Sequence, residues 1–145
     1  MLIDLIAANP EDAQAILSTP GHANVWPTLE AKSVDQVKLA TLAFILKGKL
    51  PEGEHLTAYI QSFENLVAAS DDGPWIDLLP AELVEDLAIL SEERINAVAR
   101  SWANTDEAKL DRWSESDVLP FLRELSAFAA SARAQDKKLL LWVCL

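Results

Sequence analysis

The run Val37, Leu39, Ala40, Leu42, Ala43, Phe44, Ile45, Leu46 is apolar almost all the way round a helical wheel. A surface helix carries one apolar stripe, whereas a helix that is apolar on every side has to be enclosed by other elements. Ser33 precedes this segment and Gly48 follows Lys47, which predicts a central, buried helix between them. Any fold for this chain must supply enough neighbours to surround it. With 145 residues, half of them apolar and five of them tryptophan, one compact domain spanning 1–145 can do so. A domain of that size buries roughly 70% of the surface its unfolded chain exposes.

Most of the neighbours read as helices. Asn9 is a good N-cap before Pro10, with Glu11 and Asp12 complementing the helix dipole, and Pro20-Gly21 closes that segment. A loop containing Trp26-Pro27 follows. After the Pro51–Gly53 turn, Leu56, Tyr59, Ile60, Phe63, Leu66 and Val67 keep the spacing of one helical face, which predicts a helix through Val67. Asp71-Asp72-Gly73-Pro74 breaks it. Pro80 opens a helix with Leu83, Val84, Leu87 and Leu90 inward, and Ser91 caps the next, with Ile95, Val98, Ala99 and Trp102 on one side. Thr105 caps a short helix ending near Trp113. The last helix is expected from Ser116 or Leu119, so that Pro120 lies in its first turn, to about Ala134. Leu139–Leu145 is too short for a helix and suits a strand. The sequence thus predicts a mainly α single domain of six or seven helices, with the C-terminal run as a short core strand or plug. An α+β fold with a small sheet is the alternative.

Charge is distributed unevenly. Between Lys49 and Arg94 there is no lysine or arginine, yet Glu52, Glu54, Glu64, Asp71, Asp72, Asp77, Glu82, Glu85, Asp86, Glu92 and Glu93 all fall there. The remaining twelve acids are matched by twelve bases, so the formal charge of −11 arises in this segment. Such a field argues against nucleic acid as a partner. The longest apolar run, Leu139–Leu145, is far short of the ~20 residues a membrane helix needs. The opening MLIDLIAANPEDA lacks a basic stretch and a small-residue cleavage site, and the only cysteine, Cys144, has no partner for an internal disulfide. Both point to the cytoplasm.

Candidate chemistry is sparse. Glu52 and His55 form a single Glu-x-x-His, whereas a di-iron carboxylate bundle needs two such motifs on facing helices. Asp71, Asp72 and Asp77 offer oxygen ligands, but without the spacing or closing glutamate of a calcium loop. Glu82, Glu85 and Asp86 share a helical face with no interleaved base and so repel by a few tenths of a kcal/mol each. Cys144 lies in an apolar run and reads as core. Glycine-rich phosphate loops are absent, and no catalytic residue, metal site or cofactor is identified. Trp26, Trp75 and Trp113 lie at loops or helix ends, as partner anchors or as lids on the core.

The segment Ser33 to Gly48 resembles the central helix of the YfbM-like family of uncharacterised bacterial proteins. Leu42, Phe44, Ile45, Leu46 and Gly48 match the second half of that helix, while Val37 and Leu39 stand where the family has Lys and Trp. The closing stretch, Ala129–Gln135 leading into Leu139–Leu145, is similar to the family's ending. The resemblance implies a bacterial cytosolic protein with some strand beside the helices. It implies no activity.

The residues best fit a small acidic binding module that recognises a basic protein surface, with toxin neutralisation as one concrete form. Asp71, Asp72, Trp75, Asp77, Glu82, Glu85 and Asp86 are its candidate binding residues. One alternative is an enzyme or small-ligand protein whose carboxylate site, with His55, forms in space. Another is a homodimer whose apolar tail pairs across the two-fold.

Overall fold

The computed structural model describes all of residues 1–145. Strand β1 (Leu2–Ala8) leads through a tight 3-10 turn at Pro10–Asp12 into the short helix α1 (Ala13–Leu17). Then come β2 (Thr28–Glu30), α2 (Gln36–Leu46), α3 (Gly53–Gln61), β3 (Glu64–Ala68) and β4 (Trp75–Leu78). The chain continues with α4 (Ala81–Ala88), α5 (Glu92–Ala103), α6 (Asp106–Leu110) and α7 (Glu115–Ala134), and ends in β5 (Lys138–Cys144). The five strands form one sheet in the order β2-β1-β5-β4-β3, every pair antiparallel. The mainly α reading is therefore wrong: this is an α+β fold built on a sheet.

The C-terminal run is the middle strand of that sheet. It pairs with β1 along its whole length, from Leu2 opposite Cys144 to Ala8 opposite Lys138, and with β4 on its other side. Alternation then sorts the side chains. Ile3, Leu5, Ala7, Leu139, Leu141 and Val143 face α2, α4, α5 and α7 in one large apolar cluster. Ile6, Ala8, Ile76 and Leu140 face the other way, onto Ala13 and Ile16 of α1. Because both faces are covered, β1 reads as a nearly continuous apolar run and lacks the polar alternation that marks a half-exposed strand.

Segment 64–68 is a strand where the spacing predicts helix. The helix stops at Gln61, and Glu64–Ala68 pairs with β4 through a bulge between Asn65 and Val67. The extra residue lets the neighbours Leu66 and Val67 both pack on the α1 side of the sheet. Two adjacent apolar residues on one face imitate a helical pattern. Helix α7 also differs from expectation. It begins at Glu115 behind a capping box of Ser114 and Asp117, so Pro120 falls in its second turn. The carbonyl that Pro120 leaves without a donor belongs to Ser116, which is exposed and can be satisfied by water.

Helix α2 is enclosed as its composition requires, including its one charged interior residue. Lys38 is 5% exposed, and its Nζ donates to the Ser33 carbonyl at 2.7 Å and pairs with Asp111. The ammonium also lies 5.7 Å from the ring centre of Trp113. A buried charge demands such partners. Here they fasten the α6–α7 link onto α2. No helix is long and apolar enough to cross a membrane.

Candidate functional site

The residues singled out from sequence do not converge on one site. Asp71 and Asp72 are exposed on the turn between β3 and β4. Glu82 and Asp86 on α4 are bridged by Lys47 from the end of α2, at 2.7 and 3.1 Å. The bond from Lys47 holds Glu82 below the usual carboxylate range, and the two carboxylates raise Lys47 in turn. Glu85, on the other flank of α4, lines a shallow cleft of about 180 Å³ with Arg133, Lys137 and Lys138. Glu92 meets Arg123 at 3.4 Å. Bases from before and after the acidic segment thus reach the α4 side, and one continuous negative face does not form there. His55 is exposed near the start of α3, and Cys144 is half-buried at the end of β5, not in the core.

Trp75 and Asp77 lie on β4, on the helix-facing side of the sheet, opposite Val143 and Leu141. Trp75 is half-buried against the large core cluster, as are Trp113 and several helix residues, and Trp26 packs on the smaller one. All three tryptophans therefore act as lids. Asp77 is only 3% exposed and has no cation beside it. Its carboxylate accepts from Asn65 Nδ2 at 2.8 Å and from the Gln36 amide at the start of α2, with the Trp75 side chain as a further donor. Burial raises its pKa above the ordinary carboxylate value, and these three hydrogen bonds only partly offset that.

A folded-state pKa raised above the unfolded value means that the folded chain holds the proton more tightly. The associated stability is complete below the unfolded carboxylate pKa of about 3.9 and is lost as pH rises through the raised folded value. Relative to Asp77→Asn, the wild-type melting temperature is expected to fall as pH climbs across that window and to run parallel above it. A wild-type-to-variant difference that stays constant with pH would refute this.

Around β3 the acids have no counter-charge. Glu64, Asp71 and Asp72 are exposed, and no lysine, arginine or histidine nitrogen comes within 4.0 Å of their carboxylates. Glu64 begins the strand, and the two aspartates sit on the turn beyond its end. β3 is also the last strand of the sheet on that side.

A second feature lies on the α1 side of the sheet. His22, from a 3-10 turn at His22–Asn24, places Nε2 2.7 Å from Asp4 Oδ2 on β1. Its ring packs at 4.9 Å against Trp142 of β5, which is the strand partner of Asp4. Gly21 sets the turn: its φ of +72° suits glycine, and a Cβ would stand 3.2 Å from the Asn24 amide. Clefts of about 670 and 400 Å³ flank the pair, and Asp4 and Trp142 line both. Glu30 lies directly across from Asp4 on β2. The arrangement is an oriented imidazole beside an aromatic wall, the pairing of base and orienting carboxylate used in acid–base sites. One clue to it was present in sequence. Asp4 is a lone carboxylate in an otherwise apolar run, and such a group needs a partner.

Comparison with protein-family models, curated proteins and solved structures finds no match for this chain.

Proposed function

We propose that this chain is a small acidic binding module that captures a basic protein surface, working in the cytoplasm, where its single thiol would stay reduced. The observation that carries the reading is the group Glu64, Asp71 and Asp72. These carboxylates are exposed and uncompensated, in a segment that has no lysine or arginine from residue 50 to residue 93. Charges left bare at a surface cost solubility nothing and steer an oppositely charged partner during encounter. By contrast, Glu82 and Asp86 are engaged with Lys47 and contribute mainly to holding α4 against α2. Neutralisation of a cationic toxin is one concrete form that such a module can take.

The test separates local recognition from net charge. One variant carries Glu64→Gln, Asp71→Asn and Asp72→Asn. A control removes the same charge from α6 and α7 and the turn after α7, through Asp106→Asn, Glu124→Gln and Asp136→Asn. Association with a lysine-ended peptide is expected to slow several-fold in the first variant and to change little in the control. Equal slowing in both would mean that only total charge matters, and the recognition reading would be withdrawn.

A further inference from the structure

The outer edge of β3 is open. Apart from its ladder with β4, no residue from 64 to 68 makes a backbone hydrogen bond to any other part of the chain. Ala69 N–H donates to the Pro74 carbonyl at 2.9 Å, so that pair is a hydrogen-bonded one. In an antiparallel ladder the next pair along, Ala68 with Trp75, must then turn its amide and carbonyl away from the partner strand. Ala68 therefore presents a donor and an acceptor to solvent, and its neighbours Ala69 and Ser70 are exposed as well. The edge carries neither proline nor lysine, the usual protections against a guest strand. Its one protective device is the bulge after Asn65, which limits a regular ladder to the end of the strand near Ala68.

We propose that this edge docks an extended basic segment of the partner protein, which adds as a sixth strand beside β3. This rests on the acidic-module reading and specifies how the partner is held. The charges choose between occupants. A second copy paired antiparallel about Ala68 would bring the Glu64 end of each chain towards the Asp71–Asp72 turn of the other, acid against acid at both ends of the pairing. Like charges brought together across a strand pair destabilise it. A foreign strand with lysine or arginine at its ends turns both positions into attractive pairs, with Glu64 at one end and Asp71 and Asp72 at the other. Main-chain bonds supply affinity in strand addition, and the flanking side chains supply selectivity.

The probe is a short β-prone peptide with a Val/Thr centre and lysines at both ends. It is compared with a glutamate-ended twin and with a twin whose central amides are N-methylated. Ala68→Pro removes the outward N–H without removing a bond to β4, and proline is tolerated at such an edge position. The wild-type chain is expected to bind the lysine-ended peptide, Ala68→Pro to weaken binding about fivefold, the value of roughly one net hydrogen bond, and methylation of two central amides to weaken it about tenfold or more. Unchanged binding by an Ala68→Pro chain that melts like wild type would overturn the edge proposal. If that variant does not fold, equal binding of the N-methylated peptide to wild type overturns it instead. In either case a continued preference for lysine over glutamate ends leaves the acidic-module reading standing, whereas equal binding of both removes that reading too. Self-association that Ala68→Pro abolishes would assign the edge to a second copy and also overturn the proposal.

Discussion

A chain ending at Lys137 is expected not to fold. The missing residues are β5, which lies between β1 and β4, so their loss splits the sheet into two separate strand pairs. Leu139, Leu140, Leu141 and Val143 are all buried, the first three completely. Each large apolar side chain contributes about 1.5–3 kcal/mol when fully buried. Against a typical total of about 5–15 kcal/mol, the four together approach the whole stability of a domain this size. They also serve both layers of the core, because Leu140 faces α1 while the other three face the long helices. Far-ultraviolet circular dichroism and size-exclusion chromatography should report an unfolded or aggregated chain. Removing only Leu145, which is 66% exposed, should leave the melt almost unchanged. A soluble, cooperatively melting 1–137 fragment would show that the sheet does not depend on its middle strand.

Trp102→Ala is expected to be the most damaging single substitution. Trp102 on α5 is fully buried, and its indole N–H donates to the Lys38 carbonyl of α2 at 3.1 Å. Its ring meets Trp113 edge-on at 5.7 Å and Phe121 of α7 at 6.3 Å. One side chain thus joins α2, α5, α7 and the link before α7. Truncating a buried aromatic costs about 3–5 kcal/mol, since the surrounding helices close the cavity only partly. For a chain of this length that lowers the melting temperature by about 10 °C or more. Trp102→Phe keeps most of the ring but loses the hydrogen bond, and should fall between wild type and Trp102→Ala. Thermal denaturation decides the matter, and a Trp102→Ala melt within about 2 °C of wild type would contradict this picture of the core.

The helices were legible where one periodicity governed. The enclosed α2, the amphipathic α4 and α5, and the Thr105 cap that accepts from Ala108 N–H all follow from residue type and spacing. The sheet was hidden for two physical reasons. β1 is buried on both faces and so loses its alternation, and the bulge in β3 gives Leu66 and Val67 a helical look. Only β5 announced itself, as an apolar run too short to be a helix. The charge asymmetry was legible as a total, but its placement was not. Lys47 lies far from Glu82 and Asp86 in sequence, and only the packing of α2 against α4 brings it between them. The Asp4–His22 pair is a contact across 18 residues that no local pattern encodes.

Steering by exposed charge acts chiefly on the rate of association. Screening shortens the reach of exposed charges from about 10 Å at 0.1 M salt to about 3 Å at 1 M. Steering by Glu64, Asp71 and Asp72 should therefore fade over that range, while dissociation, governed by short-range contacts, changes less. The direct measurement is stopped-flow association of the chain with the lysine-ended peptide as a function of ionic strength. A rate that falls steeply with salt in wild type, and much less steeply in the Glu64→Gln, Asp71→Asn, Asp72→Asn variant, is the predicted result. Association that is indifferent to salt, or equally sensitive in both chains, would contradict the account.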